Sequence, residues 1–156
     1  MFNLFKKNNT EILSPAEGEI ITLEQVQDPV FSSKLLGDGF AIKLKDGRIF
    51  SPINGKVVSI FPTKHALGLI DENGLEVLIH IGIDTVSLNG KGFAIFVTEG
   101  EKITTKTQLA QVDLNFLKLK SKDSVTIIIF PTLKGVLPDI ETGSKKINDI
   151  VCKIST

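Results

Sequence analysis

Residues 14–23 read SPAEGEIITL, and residues 51–60 read SPINGKVVSI. The two stretches share the pattern S-P-x-x-G-x-(I/V)-x-x-(I/L), at an offset of 37 residues (51 − 14). In each of them a proline begins a turn, and a glycine frees the backbone just before an apolar strand. The repeat predicts a duplicated β-fold, although two unrelated proline-glycine turns would produce the same pattern.

The rest of the chain reads as short apolar segments separated by turn residues. Strands are predicted near residues 39–44, 57–61, 75–81 and 125–130, with Asx-Gly turns at 46–47, 54–55, 73–74 and 89–90 between them. Helix is predicted only as short turns within residues 22–34, where Pro29 limits it, and within 114–120. The sequence therefore predicts an all-β protein, an antiparallel β-sandwich or barrel with a duplicated hybrid motif and few short helices.

The composition excludes several classes of protein. The chain has 156 residues, and its 18 basic and 18 acidic side chains cancel, so no general attraction for nucleic acid is expected. No apolar run is long enough to span a membrane, so no stable membrane insertion is expected. The single cysteine, Cys152, cannot form an internal disulfide and suits a reducing cytoplasm. We expect a cytoplasmic monomer with a flexible N-terminal segment, residues 1–10, and one domain, residues 11–156.

The two histidines of the chain, His65 and His80, flank the turn signal DENG of residues 71–74. If Glu72 and Asn73 form the centre of a hairpin, His65 lies directly opposite His80. If Asn73 and the next glycine form it, His65 is the diagonal neighbour of His80. Both registers place the two imidazoles on one face within about 8 Å of each other, because side chains alternate along a strand.

A pair of histidines suits phosphoryl chemistry. A neutral imidazole nitrogen is a good nucleophile, and a hydrogen bond to its other nitrogen selects the tautomer. A second histidine can stabilise the charge on the transferred group. Thr63, two residues before His65, can hold that ring through its hydroxyl. The alternation of residues 75–81 places His80 on the face opposite Val77, Ile79 and Ile81.

Five motifs together resemble those of the glucose-type enzyme IIA domains of the bacterial sugar phosphotransferase system. They are Val30-Phe31, GDG at 37–39, SPING at 51–55, TKHA at 63–66 and HIGIDTV at 80–86. The resemblance implies that His80 accepts the phosphoryl group, that His65 hydrogen-bonds it, and that Thr63 supports His65. It implies two partners, a histidine-containing phosphocarrier protein and the IIB domain of a glucose-family sugar permease, and no required cofactor.

The same resemblance implies an exposed docking face around His80, an apolar depression ringed by acids. Its expected members are Asp28, Val30, Phe31, Leu35, Leu36, Phe61, Leu78, Asp84 and Val86. Phe31 is expected to be exposed there as an anchor for the partner. For Asp28 and Asp84 the alternative is simple solvation of a turn.

Three rival functions stay open at the level of sequence, and one of them, a non-catalytic interaction module, leaves the histidine pair unexplained. The first is a weak zinc site formed by His65 and His80 and completed by a partner, as in a metallohydrolase-like protein on a related fold. A catalytic zinc site usually needs three protein ligands, and an H-x-H pair is absent here. The second is a biotinyl or lipoyl carrier, whose hammerhead strand pair residues 99–113 resemble, but the chain lacks the lysine motif of such carriers.

Overall fold

Short β-strands make up most of the regular secondary structure in this computed structural model, which describes residues 9–133, 137 and 139–155. The strands are β1 Asn9–Leu13, β2 Gly18–Thr22, β3 Asp38–Leu44, β4 Arg48–Phe50, β5 Gly55–Ile60, β6 Ala66–Asp71, β7 Glu76–Ile81, β8 Phe93–Ile95, β9 Lys102–Ile103, β10 Gln108–Val112, β11 Thr126–Phe130, β12 Gly143–Lys145 and β13 Ile150–Ser155. The helices are α1 Pro29–Ser32 and α2 Leu114–Leu119, with two 3₁₀ turns at Leu23–Gln25 and Thr85–Leu88. The prediction of an all-β protein with few short helices is confirmed.

The strands form an eight-stranded, a three-stranded and a two-stranded sheet. The order of the large sheet is β12-β2-β3-β11-β7-β6-β5-β9, and those of the smaller sheets are β4-β10-β8 and β1-β13. Each strand pair is antiparallel. A pair of consecutive strands, β2-β3 or β5-β6, occupies the same place in each half of the large sheet.

Backbone hydrogen bonds between the two repeats confirm the duplication. Leu13 N–H donates to the carbonyl of Pro52 at 3.0 Å, and Phe50 N–H donates to that of Pro15 at 2.6 Å. Leu13 corresponds to Phe50 and Pro15 corresponds to Pro52 at the 37-residue offset, so the two bonds are equivalent. This is expected for units related by an approximate two-fold axis. The first residues of both repeats are also equivalent, because each is a fully buried serine whose hydroxyl donates to the carbonyl two residues later.

Apolar side chains form two separate clusters. The main core includes residues of the large sheet, such as Phe40 and Ile79, and residues of the smaller sheets, such as Ile12 and Leu109. It therefore lies between the sheets, as in a sandwich. The second cluster lies on the other face of the large sheet, beside α1. Its buried members are Ile21, Leu23, Val26, Phe31, Ala41, Val125, Ile127 and Ile129.

Two boundaries differ from the sequence prediction. Pro29 begins α1 instead of limiting a helix, because proline is favoured at the first helical position, where its missing N–H has no partner to lose. Strand β1 begins at Asn9, and the hydroxyl of Thr10 donates to Asp71 at 2.6 Å. These two residues belong to the folded domain, whereas residues 1–8 of the predicted flexible segment lie outside the described residues. Among the described helices, none has the length and apolar character that crossing a membrane requires.

Candidate phosphoryl-transfer site

The hairpin β6-β7 carries His80 near its open end, but in a register that differs from both predictions. Ala66 faces His80, and Leu67 faces Ile79. Three residues, 72–74, separate the hydrogen-bonded Asp71 and Leu75, instead of the predicted two, because Asp71 Oδ1 accepts from the N–H groups of Asn73 and Leu75, at 2.9 and 2.8 Å. The left-handed Gly74 (φ +86°) closes this loop, as is common for three-residue hairpins.

The two histidines nevertheless lie side by side, with ring centroids 5.0 Å apart and planes at 82°. In this register a regular extension of β6 would point His65 to the opposite face. The chain instead turns just before β6, where Lys64 has a φ of +60° and donates its N–H to the carbonyl of Phe61 at 2.8 Å. A turn at residues 61–66, and not strand alternation, brings His65 beside His80.

One hydrogen bond selects the tautomer of His80. Its Nδ1 lies 2.9 Å from the carbonyl oxygen of Gly82, which can only accept, so Nδ1 carries the proton. The Nε2 of the neutral ring is therefore left with its lone pair. His80 is half-buried and lies on the face opposite the main core, as the alternation of β7 predicted.

Gly82 is the site residue whose role the sequence reasoning missed. Its φ is +83°, and a Cβ at this position would lie 2.5 Å from Thr85 Cγ2 and 2.8 Å from the carbonyl oxygen of Asp123. Its N–H donates to the carbonyl of Val125 at 2.9 Å, which holds its own carbonyl in place. The signal available in the sequence was a glycine two residues after a histidine, at the end of a predicted strand.

His65 lies within hydrogen-bond distance of Thr63, the residue expected to support it. The threonine hydroxyl lies 2.6 Å from Nδ1 of His65, and the carbonyl of His65 accepts from the N–H of Ile81 at 2.7 Å. If the hydroxyl donates to Nδ1, the proton of the neutral ring is on Nε2, which is then a hydrogen-bond donor. The pair would thus present a nucleophile on His80 and a donor on His65.

Both imidazoles are biased toward the neutral form. Burial lowers the pKa of His65 below the usual value of a histidine. Burial also lowers the pKa of His80, and His65 lowers it further, whereas Gly82, Asp28 and Asp84 act in the opposite direction. A ring that is neutral near pH 7 keeps the lone pair that nucleophilic attack requires.

The expected docking residues divide into an exposed set and a buried exception. Five of the expected docking side chains are 41–80% exposed, namely Val30, Leu35, Leu36, Phe61 and Val86. Phe31 is only 5% exposed, so its prediction as an exposed anchor is wrong. The reason is that α1 turns this ring into the second cluster, where it contacts His80 at a centroid distance of 4.9 Å.

The polar and half-buried members of the predicted face have separate environments. Asp28 caps α1, since its Oδ1 accepts from Val30 N–H at 2.9 Å, so at least one of its oxygens serves a turn. Asp84 is exposed and starts the 3₁₀ turn from a left-handed conformation (φ +57°). Leu78 is half-buried and packs against the second cluster.

The two imidazoles offer two nitrogen ligands for a metal. Among the described residues, no group of three or more His, Cys, Asp or Glu side chains could hold a metal ion. The site therefore combines a buried imidazole, His65, and a half-buried one, His80, beside exposed apolar side chains.

Comparisons with known proteins agree on one family. The model of the family "phosphoenolpyruvate-dependent sugar phosphotransferase system, EIIA 1" matches residues 10–135. The glucose-specific EIIA component of Mycoplasma capricolum is 43% identical over 148 residues, which cover 94% of this chain and 96% of that protein. The glucose-specific EIICBA component of Streptococcus pneumoniae is 44% identical over 153 residues, which cover 96% of this chain but 21% of that protein.

A solved structure matches over nearly the whole chain. The glucose permease IIA from Mycoplasma capricolum superimposes with a TM-score of 0.87 at 40% identity, covering 98% of this chain and 99% of that one. This similarity confirms the antiparallel hybrid fold, and the family model covers most of the residues that build the histidine site. The chain belongs to the EIIA 1 family of the phosphoenolpyruvate-dependent sugar phosphotransferase system.

Proposed function

We propose that the protein is a phosphoryl carrier in which Nε2 of His80 accepts the group from a histidine-containing phosphocarrier protein and passes it to the IIB domain of a glucose-family permease. The observation that carries this proposal is the bond from His80 Nδ1–H to Gly82, which leaves Nε2 free beside His65. The glucose-specific names of the two relatives support the class of permease.

The transfer requires no cofactor in this proposal. The Nε2 lone pair attacks phosphorus in line while the bond from phosphorus to the donor nitrogen breaks, and the electron pair of that bond stays on the donor. His65 donates from Nε2 to an oxygen of the migrating group, and Thr63 holds His65 in the tautomer that can do so. A zinc ion would need further ligands from a partner protein, so we regard metal binding as secondary to phosphoryl transfer.

The direct test is incubation with phosphoenolpyruvate, enzyme I and the phosphocarrier protein, followed by mapping of the labelled residue. The expected result is one phosphoryl group, stable to base and labile to acid, on His80. Label on another residue, or no label with a folded protein, would refute the proposal.

The bond between Thr63 and His65 leads to a prediction of its own. Thr63→Val keeps the shape of the side chain but removes the hydroxyl, so the imidazole can rotate or change tautomer. We expect the rate of onward transfer to IIB to fall by about 10-fold, because a misplaced hydrogen-bond donor weakens transition-state stabilisation. Rapid-quench kinetics measure the rate, and nitrogen NMR shifts of His65 report the tautomer. Thr63→Ser should restore both, and an unchanged tautomer in Thr63→Val would contradict the assigned role.

The exposed apolar side chains around the site predict how the partner docks. Val86→Lys places a charge on the proposed face, and we expect the Kd for the phosphocarrier protein to rise by about 10-fold, because apolar contacts at an interface centre carry much of the binding energy. Titration calorimetry measures this Kd.

Ile150→Lys is the matched control for Val86→Lys. Ile150 is 38% exposed and lies on β13, whose partner β1 contacts the closed end of the β6-β7 hairpin, away from His80. Both variants should keep the free energy of unfolding within about 0.5 kcal/mol, as is usual for surface positions. An equal loss of affinity in both would remove Val86 from the docking face.

A further inference from the structure

Four aromatic rings form a continuous row through the site. The centroid of Phe31 lies 4.9 Å from that of His80, His80 lies 5.0 Å from His65, and His65 lies 5.7 Å from Phe61. The two ends of the row differ, because Phe61 is 41% exposed and Phe31 is 5% exposed. Phe31 therefore offers little surface to a partner, but it is in direct contact with the nucleophilic ring.

The position of the Phe31 ring is fixed by its surroundings. It packs in the second cluster with Leu23 and Val26, on the face of the sheet from which His80 projects. Its short helix α1 begins at a proline and is capped by Asp28, whose carboxylate accepts from the N–H of Val30. The capped helix and the buried cluster together hold the Phe31 ring against His80, so the contact does not depend on a flexible side chain.

Phosphorylation changes the charge of the His80 ring. When Nε2 forms its bond to phosphorus, the proton on Nδ1 stays in the hydrogen bond to Gly82, so the ring becomes a formal imidazolium that carries a phosphoryl group. Burial and the neighbouring His65 oppose a positive charge here, whereas Asp28, Asp84 and the Gly82 carbonyl favour it. A cation over the face of an aromatic ring and within about 6 Å of its centroid is stabilised by the ring quadrupole, more strongly where water is excluded. The planes of Phe31 and His80 are tilted by 56° at a centroid distance of 4.9 Å, which is within this range.

We infer that Phe31 is a positioning residue that holds the His80 ring and preferentially stabilises its cationic, phosphorylated form. The role of Phe31 in phosphoryl transfer rests on the proposed function. The effect of Phe31 on the charge of the His80 ring does not depend on that function. Phe31 would then set how readily His80 gains and gives up the phosphoryl group. It is a role distinct from that of the exposed docking side chains.

The test varies the electronics of the Phe31 ring at nearly constant size. Phe31 is replaced site-specifically by phenylalanines with one, two and five fluorine atoms, which weaken the negative face of the ring in steps. The pKa of His80 is measured by nitrogen NMR in the unphosphorylated protein and again after chemical phosphorylation with phosphoramidate. The same substitutions at Phe40, which is fully buried in the main core, serve as the control.

We expect the His80 pKa to fall stepwise by about 0.5–1 across the Phe31 series in both forms, and to stay constant across the Phe40 series. Phe31→Leu, which keeps an apolar side chain but has no ring, should give a fall of similar size. The equilibrium constant for phosphoryl exchange with the phosphocarrier protein should shift toward the unphosphorylated domain by about 3–10-fold. This is the factor that corresponds to a pKa change of about 0.5–1.

The possible outcomes separate this inference from the proposed function. A constant His80 pKa across the Phe31 series overturns the inference, even if exchange with the phosphocarrier protein is normal. A stepwise fall in the unphosphorylated protein supports it, even if the phosphocarrier protein fails to label His80. An equal fall at Phe40 would assign the effect to the fold as a whole and would also overturn the inference.

Discussion

Replacement of His80 by glutamine is expected to abolish acceptance of the phosphoryl group, with a loss of well over about 10³-fold, as is usual when a nucleophile is removed. A glutamine amide has no basic nitrogen lone pair, so no bond to phosphorus can form. Labelling by phosphoenolpyruvate, enzyme I and the phosphocarrier protein measures the effect directly. The same variant should still bind the phosphocarrier protein, because the exposed side chains Val30, Leu36 and Val86 are unchanged.

The control for His80→Gln is a check that the variant keeps its fold and stability. His80 is half-buried and outside the main core, so glutamine should keep the hairpin and lower the stability by no more than about 1–2 kcal/mol. Thermal unfolding and the NMR signals of β6 and β7 check this. Retention of label in a folded His80→Gln variant, with the group mapped to His65, would show that the roles of the two histidines are reversed.

The fold could be predicted from the sequence because its strongest signals are local. The repeated S-P-x-x-G units predicted both the turns and the duplication, and the structure adds the reciprocal bonds Leu13–Pro52 and Phe50–Pro15 that join them. What the pattern could not reveal is how the two repeats associate. Such contacts depend on the three-dimensional placement of residues 37 positions apart.

The site could be predicted only in part, for reasons that differ between residues. The pairing of His65 with His80 follows from a turn signal that lies between them, but the register depended on whether the loop has two or three residues. That choice is made by Asp71 and the left-handed Gly74. A register error of one residue reverses a strand face, and here the irregular backbone before β6 compensated for it.

Phe31 shows most clearly what could not be predicted from the sequence. Helix α1 has four residues, about one turn, which is too short for a 3.6-residue period to indicate an inward face. Val30 and Phe31 are adjacent and apolar, yet their exposed fractions are 47% and 5%. Whether Phe31 is an exposed docking residue or a buried neighbour of His80 becomes clear only from the second cluster, in which its ring packs.

Replacement of His65 by glutamine should separate the two half-reactions. The glutamine amide can donate one hydrogen bond to a phosphoryl oxygen, so acceptance from the phosphocarrier protein should stay within about 10-fold of the native rate. Onward transfer to IIB should fall by about 10²–10³-fold, the usual effect of removing a group that stabilises transition-state charge.

The reason for the difference is that an imidazole can become charged and an amide cannot. Burial lowers the pKa of His65 and so favours its neutral form. A dianionic phosphoryl group on the ring 5.0 Å away acts in the opposite direction, because a nearby negative charge favours the imidazolium. While His80 carries the phosphoryl group, His65 can take up a proton from solvent at Nδ1, with the Thr63 hydroxyl turning to accept it, whereas glutamine can offer only its fixed dipole.

Rapid-quench measurements of both steps on the same His65→Gln preparation test this account, since each step serves as the internal control for the other. Thr63→Val should show the same asymmetry in weaker form, because it disturbs His65 without removing it. Equal losses in both steps would mean that His65 acts in the nucleophilic attack itself. Native onward transfer would mean that a single neutral donor is sufficient, and that the charge on His65 plays no part.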